Sequence, residues 1–80
     1  MEKQELTFGQ KAMGVSFSPS KNPEIDRIKE KYAEIADILN DFRNDKNPSL
    51  SSENRRLASV AITELQASKL WAIVAITHVD

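Results

Sequence analysis

Residues 22–42 read NPEIDRIKEKYAEIADILNDF, and the spacing of apolar side chains in this stretch decides the fold class. Ile25, Ile28, Tyr32, Ile35, Leu39 and Phe42 recur three or four residues apart without a break, the period of one face of an α-helix. The flanks carry matching signals. Asn22 suits the N-cap, Pro23 the first helical position, and Glu24 and Asp26 the first turn, where the helix dipole favours negative charge. Asn44, Asn47 and Pro48 stop the pattern, so the spacing predicts a central helix over 22–45 and then a short connection of the kind that joins antiparallel helices. Arg27, Lys29, Glu30, Lys31, Glu34, Asp37 and Asp41 fall on the other faces and read as solvated surface.

Downstream, Ser51 or Ser52 can cap a second long helix, predicted over 51–78, with Glu53 in its first turn and Arg55 and Arg56 next. Its apolar face runs through Leu57, Val60, Ala61, Leu65 and Ala67, then broadens until LWAIVAI, residues 70–76, is apolar all the way round. A single partner helix covers only one stripe, so this segment demands further helices, most economically from copies of the same chain. Ala58, Ser59, Ala61, Ala67 and Ser68 permit close approach between helices, and Glu64 is expected to pair with a lysine or arginine of a neighbouring helix. Upstream, residues 5–15 carry Leu6, Phe8, Ala12, Met13 and Val15 around Gly9 and Gly14 and read as one short helix, with Gly14 suited to its C-terminal cap. The expectation is an all-α chain forming one domain over 1–80. A short helix and loop (1–21) precede a long antiparallel hairpin (22–45 and 51–78), and the whole assembles as a helical oligomer.

Composition narrows the function. A chain of 80 residues buries only about 60% of its unfolded surface and usually needs a disulfide, a metal or a partner subunit. It has no cysteine and one histidine, which excludes disulfides, cysteine zinc sites and histidine clusters and leaves self-association. The start, MEKQELTFGQ, lacks the apolar core of a signal peptide, and the longest apolar run, 70–76, falls well short of the roughly 20 residues of a membrane span, so a cytosolic protein is expected. A net charge of −1 argues against a general DNA or RNA binder. No nucleophile with its base, carboxylate pair or metal cluster has a recognisable spacing, and His78, near the chain end, reads as exposed or as an oligomer contact. A non-enzyme without cofactor or metal is expected.

Binding chemistry concentrates in SFSPSKNP, residues 16–23, where Phe17 stands among turn formers just ahead of the central helix. Unpaired N–H groups at a helix start attract phosphate, Ser16, Ser18 and Ser20 add hydroxyl donors, and Lys29 and Lys31 follow within two turns. A ring beside such donors suits a nucleobase, stacking being worth about 1–3 kcal/mol per base. The same ring suits a hydrophobic staple packing onto the hairpin, and composition leaves both readings open.

The residues also carry a resemblance. LTFGQKAMGVSFSPSKNPEIDRIKEKYAEIADILND (6–41), followed by RRLASVAITELQASKLWAIVAIT (55–77), resembles the phage-encoded anti-CBASS cyclic-nucleotide sponges, whose domain is shared in name with anti-Thoeris sponges. The strongest parts are 8–20 and 59–73. The resemblance implies a homohexamer, a trimer of dimers, that sequesters cyclic oligonucleotide messengers in the host cell cytoplasm without cleaving them, so that the CBASS effector stays silent. It implies a site between protomers for a cyclic dinucleotide such as cyclic GMP-AMP, with Phe17 stacking on a base, Ser18 and Pro19 beside it and Lys29 meeting phosphate. Many members have tyrosine where this chain has Phe17, which keeps the stacking face and deletes a hydroxyl. It implies a second pocket, for cyclic trinucleotides, with Arg56 matching the family's arginine and Gln10 and Lys11 around it. The residues alone allow Arg56 a plainer role as the partner of Glu53, three positions earlier. A rival function from another class is a helical adaptor that binds a protein through the apolar end of the last helix.

Overall fold

A computed structural model describes residues 5–15 and 21–80 of the chain. These residues form three helices and no strand: α1 (Phe8–Met13), α2 (Pro23–Arg43) and α3 (Ser52–Thr77). Each start is capped by a side chain. Asn22 Oδ1 accepts from the Glu24 amide at 2.9 Å, with Pro23 behind it as the first helical residue. At α3 the cap is Ser51: its Oγ accepts from the Asn54 amide at 3.1 Å, and Asn54 Oδ1 accepts in return from the Ser51 amide at 2.8 Å. Thr7 and Gln10 build the same reciprocal box on α1. Gly14 closes α1 with φ +74°, the left-handed conformation that glycine adopts without strain.

The connection 44–51 is held by side chains. Asp45 Oδ1 accepts from the Asn47 amide at 2.8 Å and Asn47 Oδ1 from the Ser49 amide at 3.0 Å, two local turns of the type Asp and Asn favour. Arg55, from the first turn of α3, donates to the carbonyls of Arg43 at 2.8 Å and Asp45 at 2.5 Å. It thereby ties the end of α2 to the start of α3. Further along the hairpin Arg43 donates to Ser59 Oγ at 3.0 Å, and the Tyr32 and Ser68 hydroxyls share a hydrogen bond of 2.6 Å.

The most deeply buried apolar residues are Met13, Ala33, Ala36, Ala58 and Ile62. Three of them are alanines, so the helices meet at close range through small side chains. This corrects the stripe read from the sequence: Ile25, Ile28, Tyr32 and Leu39 are half-buried, whereas Ile35 and Phe42 are exposed. The cause is α1. It docks on α2 where Gly9 lies against Ala33, so closely that a Cβ on Gly9 would run into the Ala33 carbonyl. That contact draws the buried arc of α2 towards Ala33 and Ala36 and leaves one flank of the apolar stripe, with Ile38 added to it, uncovered.

The Cα atoms span 49 × 42 × 12 Å, and 12 Å is thinner than the roughly 13–15 Å that two stacked helix layers need. The radius of gyration is 14.8 Å, against about 12 Å for a compact chain of this length. A layer this thin leaves large apolar side chains open on α3: Leu57, Val60, Leu70, Trp71 and Val74 are all exposed, Trp71 at 74%. Leu57, Val60, Glu64, Ala67, Trp71 and Val74 alternate in steps of three and four, the spacing of a coiled-coil seam. Ala67, Leu70, Trp71 and Val74 line an open apolar groove of about 290 Å³. Glu64, expected to pair with a neighbouring helix, is exposed, and none of the ion pairs among the described residues includes it.

By length and composition α3 is also apolar enough to cross a membrane: an 18-residue window has a mean hydropathy of 1.3 and is 6% buried. Counting only the uninterrupted run 70–76 misses this, because the window tolerates the isolated polar positions between apolar ones.

Candidate functional site

The geometry that bears on function lies where α1 meets the hairpin. Asp37 holds the start of α1 with both carboxylate oxygens: Thr7 Oγ1 donates to Oδ2 at 2.7 Å and the Gly9 amide to Oδ1 at 2.6 Å. A carboxylate is well suited to the exposed N–H end of a helix. Beside it the Arg43 guanidinium lies over the Phe8 ring, 5.0 Å from its centroid. The carbonyl end of α1 is held from the other helix. Gln66 Nε2 donates to the Ala12 carbonyl at 3.0 Å and Lys69 Nζ to the Met13 carbonyl at 3.3 Å. α1 is therefore clamped at its start by α2 and at its end by α3.

Lys29 is half-buried on α2, one turn before Ala33 and on the face that meets α1. Phe17, Ser18 and Pro19 lie outside the described residues. The described chain stops at Val15, just past the Gly14 turn, and resumes at Lys21, next to the Asn22 cap of α2. In the second expected set, Gln10 is half-buried and its Oε1 accepts from the Thr7 amide at 2.8 Å, so this oxygen serves the α1 cap. Lys11 is exposed in the last turn of α1. Arg56 is exposed and its Nε donates to Glu53 at 2.5 Å, the local pair that the spacing allowed. Arg56 stands three residues before Ser59, whose Oγ accepts from Arg43, the residue over the Phe8 ring.

Sequence reasoning missed Asp37, Gln66 and Lys69. The polar pattern places Asp37 on the solvated face, and nothing local distinguishes it from Asp41. Gln66 and Lys69 likewise sit among other polar positions of α3, such as Glu64 and Ser68, from which nothing local distinguishes them. Among the described residues no group of His, Cys, Asp or Glu is clustered to hold a metal ion. His78 is exposed, with Nε2 3.0 Å from Asp80 Oδ1.

The described residues thus form a thin helical hairpin with an N-terminal helix clamped at both ends by polar side chains. The chain matches the family model described as "Acb2/Tad1, hairpin domain" over residues 10–77, and it belongs to that family, the anti-CBASS/anti-Thoeris sponges. At the level of the family this implies anti-defence sequestration of cyclic nucleotides by binding rather than catalysis. The matched segment takes in the end of α1, all of α2 and all of α3. No curated protein and no solved structure matches the chain.

Proposed function

We propose that this protein is a stoichiometric sponge for cyclic di- and trinucleotide messengers, with cyclic GMP-AMP as a ligand, acting in the cytoplasm of an infected bacterium. The observation that carries the reading is the family match across 10–77, which spans the hairpin and the end of α1. Lowering the free messenger concentration keeps a CBASS effector inactive without turnover, so capacity scales with affinity and copy number. In this reading Phe17 stacks on a base, flanked by Ser18 and Pro19, and Lys29 meets a phosphate of the dinucleotide. Lys29 supports it by being a half-buried cation on the face of α2 that meets α1. Arg56, Gln10 and Lys11 serve a cyclic trinucleotide in a second pocket. Assembly as a hexamer, a trimer of dimers, is part of the same proposal. The thin layer and the seam of Leu57, Val60, Ala67, Trp71 and Val74 support it, because such a face is normally covered.

The test is isothermal titration of the purified protein with cyclic GMP-AMP and, separately, with cyclic tri-adenylate, followed by chromatography of ligand released on denaturation. Binding with intact ligand recovered is the expected result. Recovery of cleaved ligand removes the sponge mechanism, and heat from neither ligand removes the function. The uncovered α3 face favours one alternative, an adaptor that docks a protein partner there. A sponge forms a closed oligomer alone, whereas an adaptor stays an open, smaller species until its partner is added.

A further inference from the structure

We infer that Arg43 and Phe8 belong to the cyclic-trinucleotide site, Arg43 meeting a phosphodiester and the Phe8 ring a base. The inference rests on the sponge reading and adds two residues to its second pocket. Arg43 is the last residue of α2 and touches both other helices. Its guanidinium lies over the Phe8 ring of α1, 5.0 Å from the centroid, and its Nη1 donates to Ser59 Oγ of α3 at 3.0 Å. These two contacts bridge the helices that carry the expected set. On α1, Phe8 is followed by Gln10 and, one turn on, by Lys11; on α3, Arg56 precedes Ser59 by three residues.

The guanidinium has five N–H donors, and two are engaged. Nε donates to Asn40 Oδ1 at 3.0 Å and Nη1 to Ser59, both neutral acceptors. None of the ion pairs among the described residues includes Arg43. Of the acidic side chains at this end of the hairpin, Asp41 is exposed and makes no ion pair, Asp45 accepts from the Asn47 amide and Glu53 pairs with Arg56. Arg43 is thus a half-buried cation without a carboxylate, and a phosphodiester supplies the missing charge through charge-assisted hydrogen bonds. Phe8, for its part, is 36% exposed although large and apolar, and Lys11 is exposed one turn further along α1. An open ring beside cations suits a stacked nucleobase. The plain alternative is a lock, in which Arg43 only holds α1 on the hairpin through Phe8.

Substitution separates the two roles. Phe8→Leu keeps apolar bulk against the hairpin and removes the stacking face. Arg43→Gln keeps an N–H donor for Ser59 and removes the charge, whereas Arg43→Lys keeps the charge. Wild type and the three variants are titrated with cyclic tri-adenylate and with cyclic GMP-AMP at low and high salt, and their thermal unfolding is followed in parallel. The expected result is a Kd for cyclic tri-adenylate raised about tenfold or more in Phe8→Leu and Arg43→Gln, with a flatter salt dependence in Arg43→Gln and a smaller loss in Arg43→Lys. The Kd for cyclic GMP-AMP is expected to stay at its wild-type value in all three. Wild-type affinity for cyclic tri-adenylate in Phe8→Leu or in Arg43→Gln overturns the inference and leaves the sponge reading standing. An equal loss for both ligands, in step with a lowered melting temperature, also overturns it and makes the pair a lock on α1. A wild type that binds cyclic GMP-AMP alone overturns it as well, and one that binds neither ligand overturns the sponge reading and the inference with it.

Discussion

Asp37 accepts two hydrogen bonds across 30 and 28 residues of sequence, and with them it anchors α1. Replacing it by alanine leaves the Thr7 hydroxyl and the Gly9 amide without their partner, and Asp37→Ala is expected to cost about 1–3 kcal/mol in denaturant unfolding at fixed protein concentration. An unchanged unfolding midpoint would show that α1 is held by other contacts. Gly9 provides a test of sign. In an isolated helix alanine is favoured over glycine by about 1 kcal/mol, so helix propensity alone makes Gly9→Ala stabilising. The close approach to the Ala33 carbonyl makes it destabilising, because α1 must lift off α2 to admit the methyl group. A lowered melting temperature is expected, and a raised one would refute the docking described.

At the scale of the elements, α3 begins with a reciprocal cap between Ser51 and Asn54. Ser51→Ala is expected to lower stability by about 0.5–2 kcal/mol, read from thermal unfolding, with the loss of protection in hydrogen exchange confined to the first turn of α3. The α2–α3 contact relies on small side chains, and Ala58 is buried near the closed end of the hairpin, next to Ser59, which bonds Arg43. Ala58→Leu overfills that space and is expected to cost about 1–3 kcal/mol. A neutral result would mean that the two helices separate readily at this level. Most helix ends were legible beforehand, since Asn22, Pro23, Gly14 and Ser51 act on amides and carbonyls only a few residues away. The face that α2 buries was not. Its apolar stripe is real, but the docking of Gly9 moves the burial to Ala33 and Ala36, and no short-range pattern reports that contact.

For the molecule as a whole, the layer is too thin to bury its own apolar surface, and the seam on α3 is where that surface is greatest. If copies associate through it, the double substitution Val60→Glu and Trp71→Glu places charges in the contact and reduces the assembly to smaller species in sedimentation velocity at micromolar protein. Helix content by circular dichroism should persist if the hairpin folds first. A wild type that sediments as a monomer at those concentrations would sink the assembly proposal. If the proposed pocket of Arg56, Gln10 and Lys11 is shared between copies, the same variant is expected to lose cyclic tri-adenylate binding.

The number of helices, their order and their caps follow from local chemistry, since a period of three and four, an Asn-Pro start and a glycine stop all act within one or two turns. The family is legible as well, since the pattern that carries it runs along the chain. The clamp on α1 follows from contacts that skip 28 to 56 residues, from Asp37 to Gly9 and from Lys69 to Met13. A polar side chain of α2 or α3 looks the same in sequence whether it meets water or the end of another helix. Folding decides which, because only then does an unpaired amide or carbonyl of α1 arrive within 3.5 Å of Asp37, Gln66 or Lys69.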